Sequence, residues 1–222
     1  MEHVSNNKNR MILRLFPYLR DKEKASNLMI DDESIYYISV REYAEKTTDI
    51  IKNHLVELGY TPSKTIITDA MAGVGGNTIS LSKNFKFVYA IEFEKDRSIM
   101  IRNNIKIYNC ENIKVINDDC MNVLRHISNH HVIFLDPPWG GSDYKNHALL
   151  RLQINNEPLE SVCNKLTDPK YMKKVPSMIV LKLPKNYDLK HFYYESNNKK
   201  LYYYNLKKMI IIIVLVELSN IE

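Results

Sequence analysis

The stretch Asp136-Pro137-Pro138-Trp139-Gly140-Gly141 closes an apolar run, HVIFLD, and sets several chemical tools side by side. A carboxylate next to a proline carbonyl offers two acceptors for the two hydrogens of an exocyclic –NH2 group. That grip leaves the nitrogen lone pair aimed at a methyl donor. Two prolines have fixed φ angles and no N–H donors, so they form a stiff ledge. Trp139, the single tryptophan of the chain, supplies a flat surface for a base. Gly140 and Gly141 let the chain turn away without crowding it. The plainer alternative is a Pro-Pro corner with a core tryptophan.

A second candidate lies upstream in DAMAGVGGN, Asp69 to Asn77. Glycines 73, 75 and 76 permit a sharp turn and a close approach to a ligand, and they open a helix whose first N–H groups are free. The spacing differs from the dinucleotide fingerprint G-x-G-x-x-G. Asp69, just before the loop, suits a ligand with a cationic or amine end better than a pyrophosphate. S-adenosylmethionine is such a ligand, and a simple tight turn is the competing reading. About twenty positions past the loop, Glu92 is placed to accept both hydroxyls of a ribose. Asp118 or Asp119 in NDDC can receive an adenine amino group. Singly, each acidic residue reads as a helix cap. Three at successive strand ends behind a glycine loop point to a nucleoside.

The elements that position these residues follow a clear rhythm. Strands are expected at Thr65–Ala70, Phe85–Glu92, Ile113–Asn117, His131–Asp136 and Ser177–Leu183. Two closing strands are expected at Leu201–Asn205 and Met209–Glu217. Helical patterns run over Ser39–Leu58 (stopped by Gly59), Asn77–Lys83, Glu94–Tyr108 and Met121–Asn129. Alternation of this kind predicts an α/β fold, a doubly wound, mostly parallel sheet. Ligands in such sheets sit beyond the carboxyl ends of the strands, where the motifs fall. Residues 1–38 read as an extension that packs a few anchors on the core, and 39–222 as the main domain.

Composition narrows the class. A chain of 222 residues with 45% hydrophobic and 26% charged residues is an ordinary globular length and balance. Cys110, Cys120 and Cys163 show no CxxC spacing, so neither a zinc site nor a disulfide framework is indicated, and a reducing, intracellular setting is expected. The N-terminal MEHVSNNKNR lacks an apolar signal core. MIIIIVLV, eight residues, is too short to span a bilayer and reads as a buried strand. The net charge is +5, and eleven lysines between Lys165 and Lys208 face only Asp168, Asp188 and Glu195. Tyrosines interleave with them. That pattern is compatible with RNA binding and equally with a solvated lysine face over a tyrosine-rich sheet. The histidines, including His130, His131 and His147, lack metal-like partners in the sequence.

Taken together, DAMAGVGGNT, AIE, RNN, NDD and DPPWGGSDY resemble the trimethylguanosine synthase family, RNA cap methyltransferases that act on the guanine N2 of 7-methylguanosine. The resemblance runs from about Ser39 to the C-terminus and is most specific at GVGGNT and PPWGGSDY. The glycine loop precedes DPPW, unlike the permuted order of the messenger-RNA adenine-N6 enzymes. It implies a Rossmann-like class I S-adenosylmethionine-dependent methyltransferase, with a seven-stranded sheet whose last strand is antiparallel. It places the cofactor on Asp69, Ala70, Gly73, Gly75, Asn77, Thr78, Glu92, Asp119 and Asp136. The substrate falls on Asn104 (guanine edge), Trp139 (stacking) and Tyr144, Lys185 and Lys207 or Lys208 (phosphates). Lys185 stands where the family has an arginine. Asp136 stands where well-known cellular members have serine. Compactness suggests a minimal or a viral version acting in the nucleus or cytoplasm, in host cytoplasm if viral.

The expected reaction is direct methyl transfer, without metal, by Asp136, Pro137 and Trp139, on a capped RNA by a monomeric protein. The rivals are an internal RNA or DNA guanine-N2 or adenine-N6 methyltransferase and a non-catalytic cap- or RNA-binding module.

Overall fold

The computed structural model describes residues 11–197 and 199–216. The strands form a seven-stranded sheet and a separate two-stranded hairpin. The chain divides into two compact units, residues 1–120 and 121–222.

In the first unit the helices are α1 (Lys22–Ser26), α2 (Ser34–Tyr37), α3 (Arg41–Glu57), α4 (Gly76–Ser82) and α5 (Lys95–Ile107). The strands are β1 (Ile66–Asp69), β2 (Phe87–Glu92) and β3 (Ile113–Asn117). All three run parallel, with Ile66 opposite Phe87 and Val88 opposite Ile113. Helix α3 buries Tyr43, Ala44, Thr47, Thr48, Ile51, His54 and Leu55, one face at helical spacing. Gly59, at φ +82°, ends it as glycine does after a helix. Ahead of α3, Ile12, Leu15, Phe16, Ala25, Leu28 and Ile30 form one apolar cluster with Val74 and Ile79. The segment before residue 39 therefore supplies side chains to the layer under the glycine loop.

In the second unit, β4 (Val132–Leu135) pairs in parallel with β7 (Met178–Pro184), Leu135 opposite Leu181. Strand β9 (Met209–Leu215) runs antiparallel to both β7 and β8 (Lys200–Leu206). Because β9 lies between them, all seven of its residues are buried, which explains the unbroken apolar run. Each fully buried isoleucine there contributes on the order of 1.5–3 kcal/mol. The edge strand β8 carries the half-exposed tyrosines. The closing strand stops at Leu215; Glu217, like the N-terminal residues 1–10, lies outside the described residues.

Helix α6 (Cys120–Leu124) is shorter than the pattern predicted: bonds from His126 N to Val123 O and Ile127 N to Leu124 O close it as a tight turn. Several elements had no counterpart in the sequence reading, α1 and α2 among them. The hairpin β5 (Gln153–Ile154) and β6 (Glu157–Pro158) turns on Asn155 and Asn156, both at positive φ. Helix α7 (Leu159–Leu166) buries Leu159, Val162, Cys163 and Leu166. Helix α8 (Leu189–Glu195) is capped by Asp188, which accepts from His191 N. Among the described residues no helix is long and apolar enough to cross a membrane.

Candidate active site

In the first unit every acidic residue named from the sequence stands at or just past the carboxyl end of a strand. Asp69 ends β1 and is fully buried, and its Oδ2 accepts the hydroxyl of buried Thr78 at 2.6 Å. Ala70 is buried beside it, and Asn77 is half-buried at the start of α4. Gly73 adopts φ +53° and Gly75 φ +99°, the left-handed region glycine alone enters freely. A Cβ on Gly75 would sit 2.9 Å from Ile101, whereas the corresponding space at Gly73 is open for 4 Å. Glu92 ends β2, nearly buried, with Oε2 accepting Gly73 N at 2.7 Å and Oε1 accepting Glu94 N at 2.9 Å. Burial raises its carboxyl above the usual range, and the N–H groups of Glu94 and Gly73 pull the other way. Asp119 is half-buried in front of α6, with its N–H bonded to Asp118.

Asn104 has a different task from the one expected. It is fully buried in α5, its oxygen accepts Met29 N at 2.8 Å, and its amide donates to Met29 O and Val74 O. With no atom exposed, it ties residue 29 to the glycine loop and has no edge left for a guanine.

In the second unit the parallel register that sets Leu135 opposite Leu181 puts Asp136 beside Lys182 one step later. Lys182 Nζ donates to Asp136 Oδ2, with the lysine 3% and the aspartate 16% exposed at the side chain. Burial raises the Asp136 carboxyl, and the Lys182 ammonium opposes that rise. Among the described residues Asp136 Oδ1 has no hydrogen-bond partner. Pro137 is buried and Trp139 half-exposed. The indole N–H of Trp139 reaches Lys182 O at 3.4 Å, and Lys182 Nζ lies 5.4 Å from the ring centroid. Tyr144 meets the indole edge-on, centroids 5.2 Å apart at 78°. Its 3-10 turn, Gly141–Asn146, is held by Asn186, whose amide donates to Tyr144 O and His147 O at 2.7 Å each.

Lys185 follows the end of β7 and is exposed, and Lys207 and Lys208 form the exposed β8–β9 turn. The register Pro184–Met209–Leu206 brings these three lysines to one end of the sheet. Lys182 and Asn186 were missed in sequence. The one signal for Lys182 was a lysine inside an apolar strand, and Asn186 had none.

The profile of the RNA cap guanine-N2 methyltransferase family matches residues 64–215, from β1 to the end of β9. The chain belongs to that family. It is 37% identical over 198 residues to an uncharacterized protein of Acanthamoeba polyphaga mimivirus, covering 81% of this chain and 75% of that one. It is similar to the trimethylguanosine synthases of Schizosaccharomyces pombe (27% identity, 56% of this chain, 52% of that one) and Saccharomyces cerevisiae (23%, 79% and 56%). The chain thus spans only about half the length of those two synthases. Among solved structures, a precorrin-6y C5,15-methyltransferase of Geobacter metallireducens aligns with a TM-score of 0.55 at 15% identity, over 81% of this chain and 89% of that one. A putative methyltransferase of Escherichia coli aligns at 0.52 and 16%, over 78% and 86%. The fold is that of class I S-adenosylmethionine-dependent methyltransferases, and family and fold together make the protein a methyltransferase.

Proposed function

We propose that the protein methylates the guanine N2 of a 7-methylguanosine RNA cap with S-adenosylmethionine as donor. The observation that carries this reading is the end of β4, where Asp136, with one carboxylate oxygen lacking a partner among the described residues, and the half-exposed indole of Trp139 both contact Lys182. An acceptor next to a stacking surface is what an amine on a planar base requires.

The residues of the first unit fit the cofactor. The space at Gly73 is open on the side a Cβ would fill. A carboxylate can accept about four hydrogen bonds, and Glu92 uses one on Gly73 and one on Glu94, keeping capacity for two ribose hydroxyls. Asp119 receives the adenine amine. Asp69, oriented by Thr78, provides negative charge at the glycine loop. When bound, S-adenosylmethionine supplies a methyl group activated by its sulfonium.

In the second unit Asp136 and the Pro137 carbonyl accept the amine hydrogens and aim the nitrogen lone pair, so positioning provides much of the rate. The nitrogen sheds one proton to solvent after gaining the methyl carbon, and no strong base is needed. Trp139 stacks on the cationic 7-methylguanine, with a cation–π gain of roughly 0.5–2 kcal/mol. Tyr144, Lys185, Lys207 and Lys208 hold the cap phosphates.

The test is incubation with 7-methylguanosine triphosphate and isotopically labelled S-adenosylmethionine, with the product identified by mass. A product heavier by one or two methyl groups, on the guanine N2, is expected. Methylation of uncapped RNA alone would replace this reading with an internal RNA methyltransferase. Cap binding without turnover would leave a non-catalytic module.

A further inference from the structure

Lys182 lies in the middle of β7 among Val180, Leu181, Leu183 and Pro184, all buried, and is itself 3% exposed. An ammonium so placed costs several kcal/mol unless a partner compensates it. The partner is Asp136 Oδ2, and Oδ1 of the same carboxylate has no partner among the described residues. The same lysine also holds the indole: its carbonyl accepts the Trp139 N–H at 3.4 Å, and its Nζ stands 5.4 Å from the ring centroid. The two groups that would handle the base, an acceptor and a platform, are thus anchored on one side chain and its own carbonyl.

We propose that Lys182 is a positioning residue for methyl transfer, clamping Asp136 by one oxygen so that the other is presented to the substrate amine while it fixes the plane of Trp139. This rests on the cap-methyltransferase reading of the site. An unclamped carboxylate can rotate and offer either oxygen, or take up a proton and offer a donor where an acceptor is required. Lys182 prevents both. The charge acting on Asp136 is Lys182 of β7, whose attraction opposes the upward push of burial. Tyr144 abuts Trp139, and Lys145 lies over the Tyr144 ring at 5.7 Å. Removing Lys182 leaves burial unopposed, so protonation of Asp136 moves to higher pH.

Trp139 is the single tryptophan, so its emission reports on this site without any substrate. Emission and cap methylation would be followed from about pH 5 to pH 9, spanning the range into which a buried carboxyl shifts. The proteins are the wild type, Lys182→Met and the neutral double variant Asp136→Asn/Lys182→Met. Lys182→Met is expected to show an emission inflection absent from the wild type. Its kcat falls about tenfold or more, the scale of lost orientation, and the acid limb of its rate profile moves upward. The double variant loses both the inflection and the rate. A folded Lys182→Met protein with wild-type emission and kcat would overturn the proposal. Should that variant not fold, wild-type kcat in the double variant would overturn it equally. If the wild type transfers no methyl group to a cap, the functional reading falls, while the emission comparison still decides whether Lys182 holds Asp136 ionised beside Trp139.

Discussion

Glu92 reaches back from the end of β2 to the glycine loop and accepts the N–H of Gly73 at 2.7 Å. The bond does two things. It ties down the backbone of the left-handed turn, and it fixes a buried carboxylate at the N–H of Gly73, a residue whose Cβ side is open.

Glu92→Gln replaces one acceptor oxygen by a donor, so a ribose hydroxyl or a backbone N–H loses its partner. S-adenosylmethionine affinity is expected to fall about tenfold or more, as for a charge-assisted hydrogen bond, measured by calorimetry. In the wild type, burial raises the Glu92 carboxyl above the usual range. The ionised form is the acceptor, so affinity should weaken as pH falls, starting above the ordinary glutamate range. Affinity independent of pH down to that range would contradict the role.

Asn104→Ala leaves Met29 N, Met29 O and Val74 O without the amide that satisfies them. Val74 O is buried, and an orphaned buried group costs about 1–3 kcal/mol. The two Met29 groups are part-buried and open to water, so a loss of roughly 1–3 kcal/mol is expected in urea unfolding. Hydrogen exchange at the Met29 amide should accelerate. An unchanged unfolding midpoint would show that the tie is dispensable.

Trp139→Ala removes the stacking surface. Cap discrimination, taken as the ratio of kcat/KM for 7-methylguanosine over guanosine substrates, should fall about 2- to 30-fold, the span of a cation–π contact. If the ratio stays at the wild-type value, Trp139 does not read the methylated base.

Asn186→Ala frees the turn that carries Tyr144, at a cost of about 1 kcal/mol per lost hydrogen bond. KM for 7-methylguanosine triphosphate should rise more than KM for the 7-methylguanosine nucleoside, with kcat nearly kept. Equal changes for both substrates would place the effect on folding instead of on phosphate positioning.

Much of this protein is legible along the chain because its signals are local. Apolar runs bounded by glycine, proline and acidic residues mark β1, β2, β3, β4, β7 and β9. The glycine loop and DPPW announce themselves, since a left-handed turn needs glycine and a rigid ledge needs proline. Short elements were harder. Helix α7 has only eight residues, and α8 seven, so neither completes a persuasive period. The hairpin β5-β6 rests on two asparagines at positive φ, a weaker signal than Asn-Gly.

What the chain could not express by itself is which distant residue stands next to which. Asn104 read as a substrate contact because its position matches a motif, yet Met29, 75 positions earlier, and Val74, 30 positions earlier, claim its side-chain amide. Lys182 read as one lysine in a basic tract, yet the pairing of β4 with β7 lays it against Asp136, 46 positions earlier. The sequence determined the tools, because residue type and local spacing set what a group can donate, accept or stack. Only the tertiary structure decided their partners, because strand register and burial choose which charge meets which, and a buried ammonium must find its carboxylate.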